Sequence, residues 1–425
     1  MNVLLIGSGG REHALALALS KSKTLNKLFC APGNTGTKNL AENIQLNIYS
    51  NDLIDFCRIN DISLVIIGPE QPLVDGISDK LRANGIKVFG PNQNAAEIEG
   101  NKAFAKKLMR NYSIPTAQFQ VFTKRSHQIA LNYLKSISYP TVIKASGLAA
   151  GKGVVICNDY KAAEKTLKEY FEDGIFGDSG KTVVIEEFLE GEEASIFAIT
   201  DGERFIILPA SQDHKRALDG DKGKNTGGMG AYAPAKIIDS KLLEEIKTKI
   251  IKPTLIALSE ENRKYIGCLY AGIILTKNGP KVIEFNCRFG DPETQVVLPL
   301  IDGDILKLFY SAASEKLDIN SVKYNGGTSV CVVAVSEGYP DNYKKGFEIK
   351  GINRFSDSKN IIVYHAGTKE ENDKIVTNGG RVLGITSVIN SDNLKLAKKE
   401  AYKALSKIKF NGITFRKDIA DKGIK

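Results

Sequence analysis

The sequence predicts a multidomain α/β and α+β chain: an N-terminal open parallel-sheet (Rossmann-like) domain, a central α+β body and a mostly β C-terminal domain. Three observations carry this expectation. The chain has 425 residues, which at about 100–200 residues per domain argues for about three units. Short apolar runs alternate with helical patterns over the first hundred residues, as a parallel sheet requires. Beyond them the texture changes to clustered strands, with hairpin signals at Asp201-Gly202 and Asn278-Gly279. The expected domains are residues 1–100, 101–325 and 326–425.

The elements follow in order. Residues 2–6 form an apolar run that enters a glycine turn, and a helix runs from near Arg11 to Leu19. Leu64 to Ile67 is a second strand, ending at Gly68-Pro69-Glu70; residues 76–84 read as a helix and Ile86 to Phe89 as a further strand. A basic helix at 101–111 is broken by Ile114-Pro115-Thr116. Strands are expected at 141–144, 153–157, 182–188, 195–200, 204–208, 270–276 and 281–286, with helices at 160–172, 239–259 and 303–315. Residues 328–335 open the third unit, and a helix at 392–408 closes it.

Composition excludes several classes. A chain with 42% hydrophobic and 25% charged residues is neither globally disordered nor fibrous. The six cysteines are scattered without a CxxC pair, so neither a zinc cluster nor a disulfide framework is expected, and reduced thiols in a cytoplasm fit best. No apolar run approaches the roughly 18 residues of a membrane span, and the N-terminus lacks the charged flank of a signal peptide. The net charge of +9 is concentrated at the end: residues 391–425 carry ten basic groups against four acidic ones. There Leu394, Ala397, Ala401, Ala404, Leu405 and Ile408 recur on one helical face, and Lys395, Lys399, Lys403 and Lys407 line another. Those lysines face water, so neither a nucleic-acid nor a membrane partner is expected.

Five motifs could carry chemistry. Gly7-Ser-Gly-Gly-Arg-Glu12 joins a strand to a helix, where free N–H groups can meet an anion. A tight turn that packs a helix explains it equally well, and residues 25–35 lack the acid of a dinucleotide fingerprint. Lys144 to Gly153 (KASGLAAGKG) is not a Walker loop, being one residue short and lacking Ser or Thr after Lys152. A glycine-rich hairpin loop suits a flap over phosphates, and Lys144 at a strand end can reach a phosphate oxygen as a point charge. Glu186 to Glu193 (EEFLEGEE) follows an apolar strand, where strand-exit amides can read an adenine edge; alone, it reads more readily as a solvated acidic loop. In IEFNCRFGDPETQ (283–295) strand alternation puts Glu284, Asn286 and Arg288 on one face and Ile283 and Phe285 toward the core. An acid and an amide two residues apart are oxygen donors of the kind Mg²⁺ takes, and Arg288 could clamp an anion. Gln212-Asp-His-Lys-Arg216, followed by NTGGMGAY at 225–232, suits a substrate loop; nothing singles out His214 as a base.

Taken together, these stretches resemble the phosphoribosylamine–glycine ligase (glycinamide ribonucleotide synthetase) family of the ATP-grasp superfamily. The similar segments include GSGGREHA at 7–14, APGN at 31–34, GPEQPL at 68–73, GLAAGKGV at 147–154, EEFLEGEEAS at 186–195, QDHKR at 212–216, NTGGMGAY at 225–232, EFNCRFGDPETQ at 284–295, HAGT at 365–368 and GGRVL at 379–383. The resemblance implies a two-lobed ATP-grasp domain with a lid subdomain at about 121–190. It implies ATP-dependent joining of glycine to 5-phospho-β-D-ribosylamine through a glycyl phosphate, a step of de novo purine synthesis, by a monomer. ATP with Mg²⁺ (or Mn²⁺) would lie between the lobes. Lys102 and Lys144 would contact phosphates under a lid of Gly147, Gly151, Lys152 and Gly153. Glu186, Glu187, Phe188 and Leu189 would face adenine, and Glu193 the ribose. Glu284 and Asn286 would bind the metal, and Arg288 the substrate phosphate or acyl phosphate. Gly9, Gly10, Glu12, Asn34, Glu70 and Asp213 would form the ribosylamine site, with Arg288, Lys144 and Asp213 catalytic. Three positions depart from the family pattern: Ser146 for Asp, Asn101 for Ser and Lys224 for Pro. The strand Tyr270 to Thr276 offers no metal carboxylate. A different ATP-grasp carboxylate–amine ligase or carboxylase is the nearest rival, which QDHKR and NTGGMGAY disfavour.

Overall fold

The computed structural model describes residues 1–149 and 151–424. At the N-terminus five parallel strands form one sheet in the order Glu42–Asn43, Lys27–Pro32, Asn2–Gly7, Ile62–Ile67 and Val88–Phe89. Chain order reverses between Asn2–Gly7 and Ile62–Ile67, so a crevice opens beyond their carboxyl ends. The loops leaving there are Gly7 to Gly10 and Gly68-Pro69-Glu70. Both central strands are apolar and buried over most of their length, with Ser63 half-buried, as a sheet covered on both faces requires.

The central region holds two antiparallel sheets. The larger runs in the order Phe205–Ile207, Glu192–Thr200, Gly267–Thr276, Gly279–Asn286. The smaller runs Phe119–Thr123, Thr182–Glu187, Thr141–Ala145, Val154–Cys157. Helices His127–Ser136 and Tyr160–Phe171 cover the smaller sheet, enclosing a core of its own around Phe122, Leu134, Ile143, Leu167, Phe171 and Ile185. A lobe with a separate core can move as a body.

The C-terminal sheet runs Gln212–Asp213, Gly230–Ala233, Thr328–Ser336, Arg381–Ile389, Ile361–His365, with Ile413–Thr414 also on Thr328–Ser336. Its first two strands come from the middle of the chain. The helix Leu394–Leu405 lays Leu394, Ala397, Ala401, Ala404 and Leu405 against this sheet, the face expected from its periodicity.

Some expectations change. The strand read at Ile86 to Phe89 shortens to Val88–Phe89. The helix at 239–259 is a Ser240–Ile246 and Lys252–Glu260 pair joined by a π turn at Lys247–Ile251; Pro253 lacks the N–H that a regular turn would use there. Strict alternation in the 281–286 strand also fails. Val282 opposes Ile273 and Glu284 opposes Gly272, so Ile283 is the extra residue of a bulge. Val282 and Phe285 are therefore the core residues, Ile283 is half-buried, and Arg288 lies beyond the strand's end at Asn286.

Candidate active site

The glycine loop is built around Glu12. Its carboxylate accepts from Gly9 N at 2.6 Å and from Arg11 Nε at 2.6 Å, closing the first turn of the helix Gly10–Leu19. Gly7 has φ +128°, and a Cβ on Gly9 would stand 2.9 Å from Glu12 Oε2, so a side chain at either position would displace the carboxylate. Gly10 is equally tight, against Gln295 Nε2 at 2.7 Å. Asn34 ties the loop to the C-terminal sheet. Its Nδ2 donates to Ser8 O and His365 O, both at 2.8 Å, and its Oδ1 accepts from Gly36 N and Thr37 N. Glu12 and Asn34 thus shape the glycine loop, with their polar atoms committed to the protein.

At the strand ends of the small lobe, Glu186 is buried between Lys144 and Lys106, both paired to its carboxylate. Burial works against its charge, but the two ammoniums outweigh it and hold the carboxyl below the usual range. Burial pushes Lys106 down to about 8 against the pull of Glu186. Lys144 Nζ also donates to Ile283 O at 3.1 Å, the carbonyl exposed by the bulge. Lys102 Nζ donates to Gly147 O at 3.1 Å. Burial, with Lys144 nearby, lowers the Lys102 pKa.

Two departures from the family pattern meet here. Ser146 Oγ donates to Asn101 Oδ1 at 2.9 Å and accepts from Ala103 N at 3.0 Å, while Asn101 Oδ1 also accepts from Phe104 N. Together they cap the helix Lys102–Asn111. The third, Lys224, pairs with Asp341 at 2.8 Å. In the glycine loop, Gly151 has φ +73° with open space around it, Lys152 is exposed, and Gly153 O accepts from Ala145 N; position 150 lies outside the described residues. Glu187 is tied to Lys281 Nζ at 3.0 Å, while Phe188 is 36% exposed at the strand exit.

The third cluster surrounds Lys215. Its ammonium lies 3.1 Å from Glu193 and 3.7 Å from Glu284. Burial opposes charge on Glu284, but Lys215, Lys144, Lys102 and Arg288 keep it ionised below the usual range. Asp213 is pushed up to about 7, first by burial and then by Glu293, Glu193 and Glu284, with Lys215 opposing. Burial raises Glu293 too; Ser195 Oγ, itself bonded to Tyr270 OH, reaches Glu293 at 3.5 Å. His214 takes no part: it is 1% exposed, its ring nitrogens have no hydrogen-bond partner among the described residues, and burial holds it down at about 4.

Arg288 closes the cleft. Its Nε donates to Glu70 at 3.2 Å and its Nη2 lies 3.0 Å from Glu99. Glu99 also accepts from Cys287 N at 2.7 Å. Burial raises Glu99, whereas at Glu70 the nearby Arg288 and Arg11 overcome burial and lower it. The expected residues Lys102, Lys144, Glu186, Glu193, Asp213, Glu284 and Arg288 thus converge, with Asn286 two residues along the strand from Glu284. The sequence pattern does not single out Lys106, Glu99, Lys215 or Glu293, although Lys215 lies in QDHKR, Glu293 lies in EFNCRFGDPETQ, and Lys106 is one turn from Lys102 on the same helix.

Family models match most of the chain. Those of phosphoribosylglycinamide synthetase match as an N domain over residues 1–99, an ATP-grasp (A) domain over 100–294 and a C domain over 329–422. The chain belongs to the phosphoribosylglycinamide synthetase family. It is 48% identical over 421 residues to the phosphoribosylamine–glycine ligase of Caldanaerobacter subterraneus subsp. tengcongensis, covering 99% of both chains. The crystal structure of the Thermotoga maritima phosphoribosylamine–glycine ligase superposes with a TM-score of 0.86 at 34% identity, covering 99% of this chain and 100% of that one. A biotin carboxylase from Campylobacter jejuni shares the fold at 18% identity, with a TM-score of 0.74 over 97% of this chain and 92% of that one. The clusters around Glu186 and Lys215 therefore lie within the stretch matched by the ATP-grasp domain, and the Glu12 loop within the N domain.

Proposed function

We propose that this protein is an ADP-forming ligase that joins glycine to 5-phospho-β-D-ribosylamine, giving glycinamide ribonucleotide, ADP and phosphate in purine synthesis. The observation that carries the reading is the cluster of cations around Glu284: Lys215 lies 3.7 Å from its carboxylate and Lys144 Nζ donates to Ile283 O next to it, while Lys102 and Arg288 help hold its carboxyl below the usual range. A cleft so charged suits a nucleotide polyphosphate meeting a second phosphorylated substrate. We assign residues 1–100 to ribosylamine, 101–325 to ATP, with 121–190 as lid, and 326–425 to support, in a monomer of the cytoplasm.

The glycine carboxylate attacks the γ-phosphorus, forming glycyl phosphate as ADP leaves. The ribosylamine nitrogen then attacks the acyl carbon and phosphate departs. Lys144 and Lys102 hold ATP phosphates, the strand exit at Glu186 to Leu189 holds adenine, and Glu193 holds ribose. Arg288 stabilises the acyl phosphate, and Gly9, Gly10 and Glu70 border the ribosylamine site. Asp213, its carboxyl held above the usual range by burial and by Glu293, Glu193 and Glu284, is suited to take the proton the attacking amine releases. The lid loop excludes water that would hydrolyse the intermediate.

Glu284 and Asn286 would hold Mg²⁺ or Mn²⁺. The donor set fits: two hard oxygen donors two residues apart on one strand, with the carboxyl kept ionised. No group of three or more His, Cys, Asp or Glu arranged to hold a metal exists among the described residues, so water and phosphate oxygens would complete the shell. Such an ion neutralises charge developing on the phosphoryl oxygens. The test is ADP release from purified protein with each substrate omitted in turn. Release that needs both glycine and ribosylamine is expected; turnover with another carboxylate but not glycine would overturn the assignment.

A further inference from the structure

The loop carrying Asp213 and Lys215 continues into a hairpin, Arg216–Leu218 against Lys222–Asn225. Two strands this short are marginal alone, and the tip exposes Leu218 at 59%. Yet the hairpin base fixes Lys215: the Lys215 carbonyl accepts from Thr226 N at 2.8 Å and Thr226 Oγ1 at 2.9 Å. Something outside the hairpin must hold it.

That element is the terminal segment from Arg416 to Lys422. The Arg416 side chain is 1% exposed. Its Nη1 donates to Arg216 O at 3.0 Å and Asp221 Oδ1 at 2.9 Å; its Nε and Nη2 donate to Asp418 at 2.8 and 2.7 Å. Asp418 in turn accepts from Gly220 N, Asp219 accepts from Lys417 N, and Lys422 lies 2.6 Å from Asp221. The tail is itself anchored: Tyr402 OH donates to Arg416 O and accepts from Ile419 N. A guanidinium buried with its donors satisfied on both hairpin and tail is a rigid fork that lysine cannot reproduce.

We propose that Arg416 is a positioning residue for the reaction cleft: by locking the 216–225 hairpin to the C-terminal tail, it keeps Lys215 between Glu193 and Glu284. Arg416 contacts the carbonyl of Arg216, directly after Lys215, and among the described residues none of the cleft side chains, so its influence passes through the hairpin. The proposal rests on the ligase reading only for its kinetic arm.

Arg416→Met tests it with three measurements. Labelling of Lys215 by an amine-reactive reagent, read by mass spectrometry, should rise about tenfold, together with amide exchange across 216–226. The kcat should fall about tenfold with KM for ATP nearly unchanged. In a Lys215→Ala background, Arg416→Met should add no further loss, because both act on one group. Wild-type labelling and exchange in Arg416→Met, or losses that multiply in the double variant, would overturn the proposal. If Arg416→Met does not fold, Asp418→Asn loosens the same clamp and is judged by the same outcomes. Absence of ligase turnover in the wild type would strike the functional reading and leave the labelling and exchange arms decisive.

Discussion

Glu186→Gln keeps the shape of a side chain and removes its charge. Glu186, Lys106 and Lys144 have side-chain exposures of 4%, 3% and 5%, so water screens their pairing little. Removing one partner of a buried pair costs about 3–5 kcal/mol, because the other charge is stranded. Here two ammoniums lose their counter-charge, but each keeps an acceptor: Ile283 O for Lys144 at 3.1 Å and Thr116 Oγ1 for Lys106 at 2.7 Å. Lys106, already down at about 8, can also release its proton. These reliefs place the cost at the low end, about 3 kcal/mol. The loss falls on the small lobe, because Thr182–Glu187 lies between Phe119–Thr123 and Thr141–Ala145. Since about 1.4 kcal/mol is tenfold in an equilibrium, amide protection at Val183 to Ile185 should fall about a hundredfold. Hydrogen exchange read by mass spectrometry measures this, with the N-terminal five-stranded sheet as an unchanged reference. Protection within about threefold of wild type would refute the reasoning, because local opening would then not depend on the ion triad. Lys106→Met, Lys144→Met and Glu186→Leu combined should recover the protection, as apolar replacements of buried ion groups often do, while ATP binding is lost.

Three other outcomes are expected. Burial holds His13, His365 and His214 at about 3, 4 and 4, below their ordinary 6.5. The unfolded chain therefore takes up protons first, and the stability these groups contribute above pH 6.5 is lost on acidification toward pH 4, at about 1.4 kcal/mol per pH unit per histidine. His13→Gln should reduce that slope by one proton in urea midpoints compared at pH 7 and 5; an equal slope would exclude His13 as a source. Glu284→Ala should collapse kcat with circular dichroism unchanged, and Mg²⁺-dependent turnover surviving it would remove Glu284 from the metal site. Gly151→Pro should slow turnover, because φ +73° is closed to a residue fixed near −65°; unchanged steady-state kinetics would argue against a closing loop.

The parts of the site legible in the sequence are those whose signal is local. Lys144 ends an apolar strand, Glu284 and Asn286 sit two apart on another, and glycines punctuate both flaps; period and spacing suffice to find them. Lys215, Glu99 and the true partners of Arg288 were not legible, for reasons that differ. Lys215 gains meaning from Glu193 and Glu284 on two other strands, pairings that no window along the chain contains. Glu99 lies on Gln93–Gly100, a short polar helix with only Ala95, Ala96 and Ile98 as buried apolar residues, too few to show a period. The strand Gln212–Asp213 spans two residues, below the length at which alternation can be seen. The Ile283 bulge is invisible because one inserted residue leaves the composition intact while shifting the face of everything after it. The same logic explains why the +9 charge misdirects. The cations that matter are matched in space: Lys106 and Lys144 by Glu186, Lys215 by Glu193 and Glu284, and Arg288 by Glu70 and Glu99. These four cations are offset in the sum by five carboxylates, whereas the terminal helix, whose lysines face water, is not offset. In this chain net charge reports the solvated surface, and the reacting cleft is found by asking which charges are buried together.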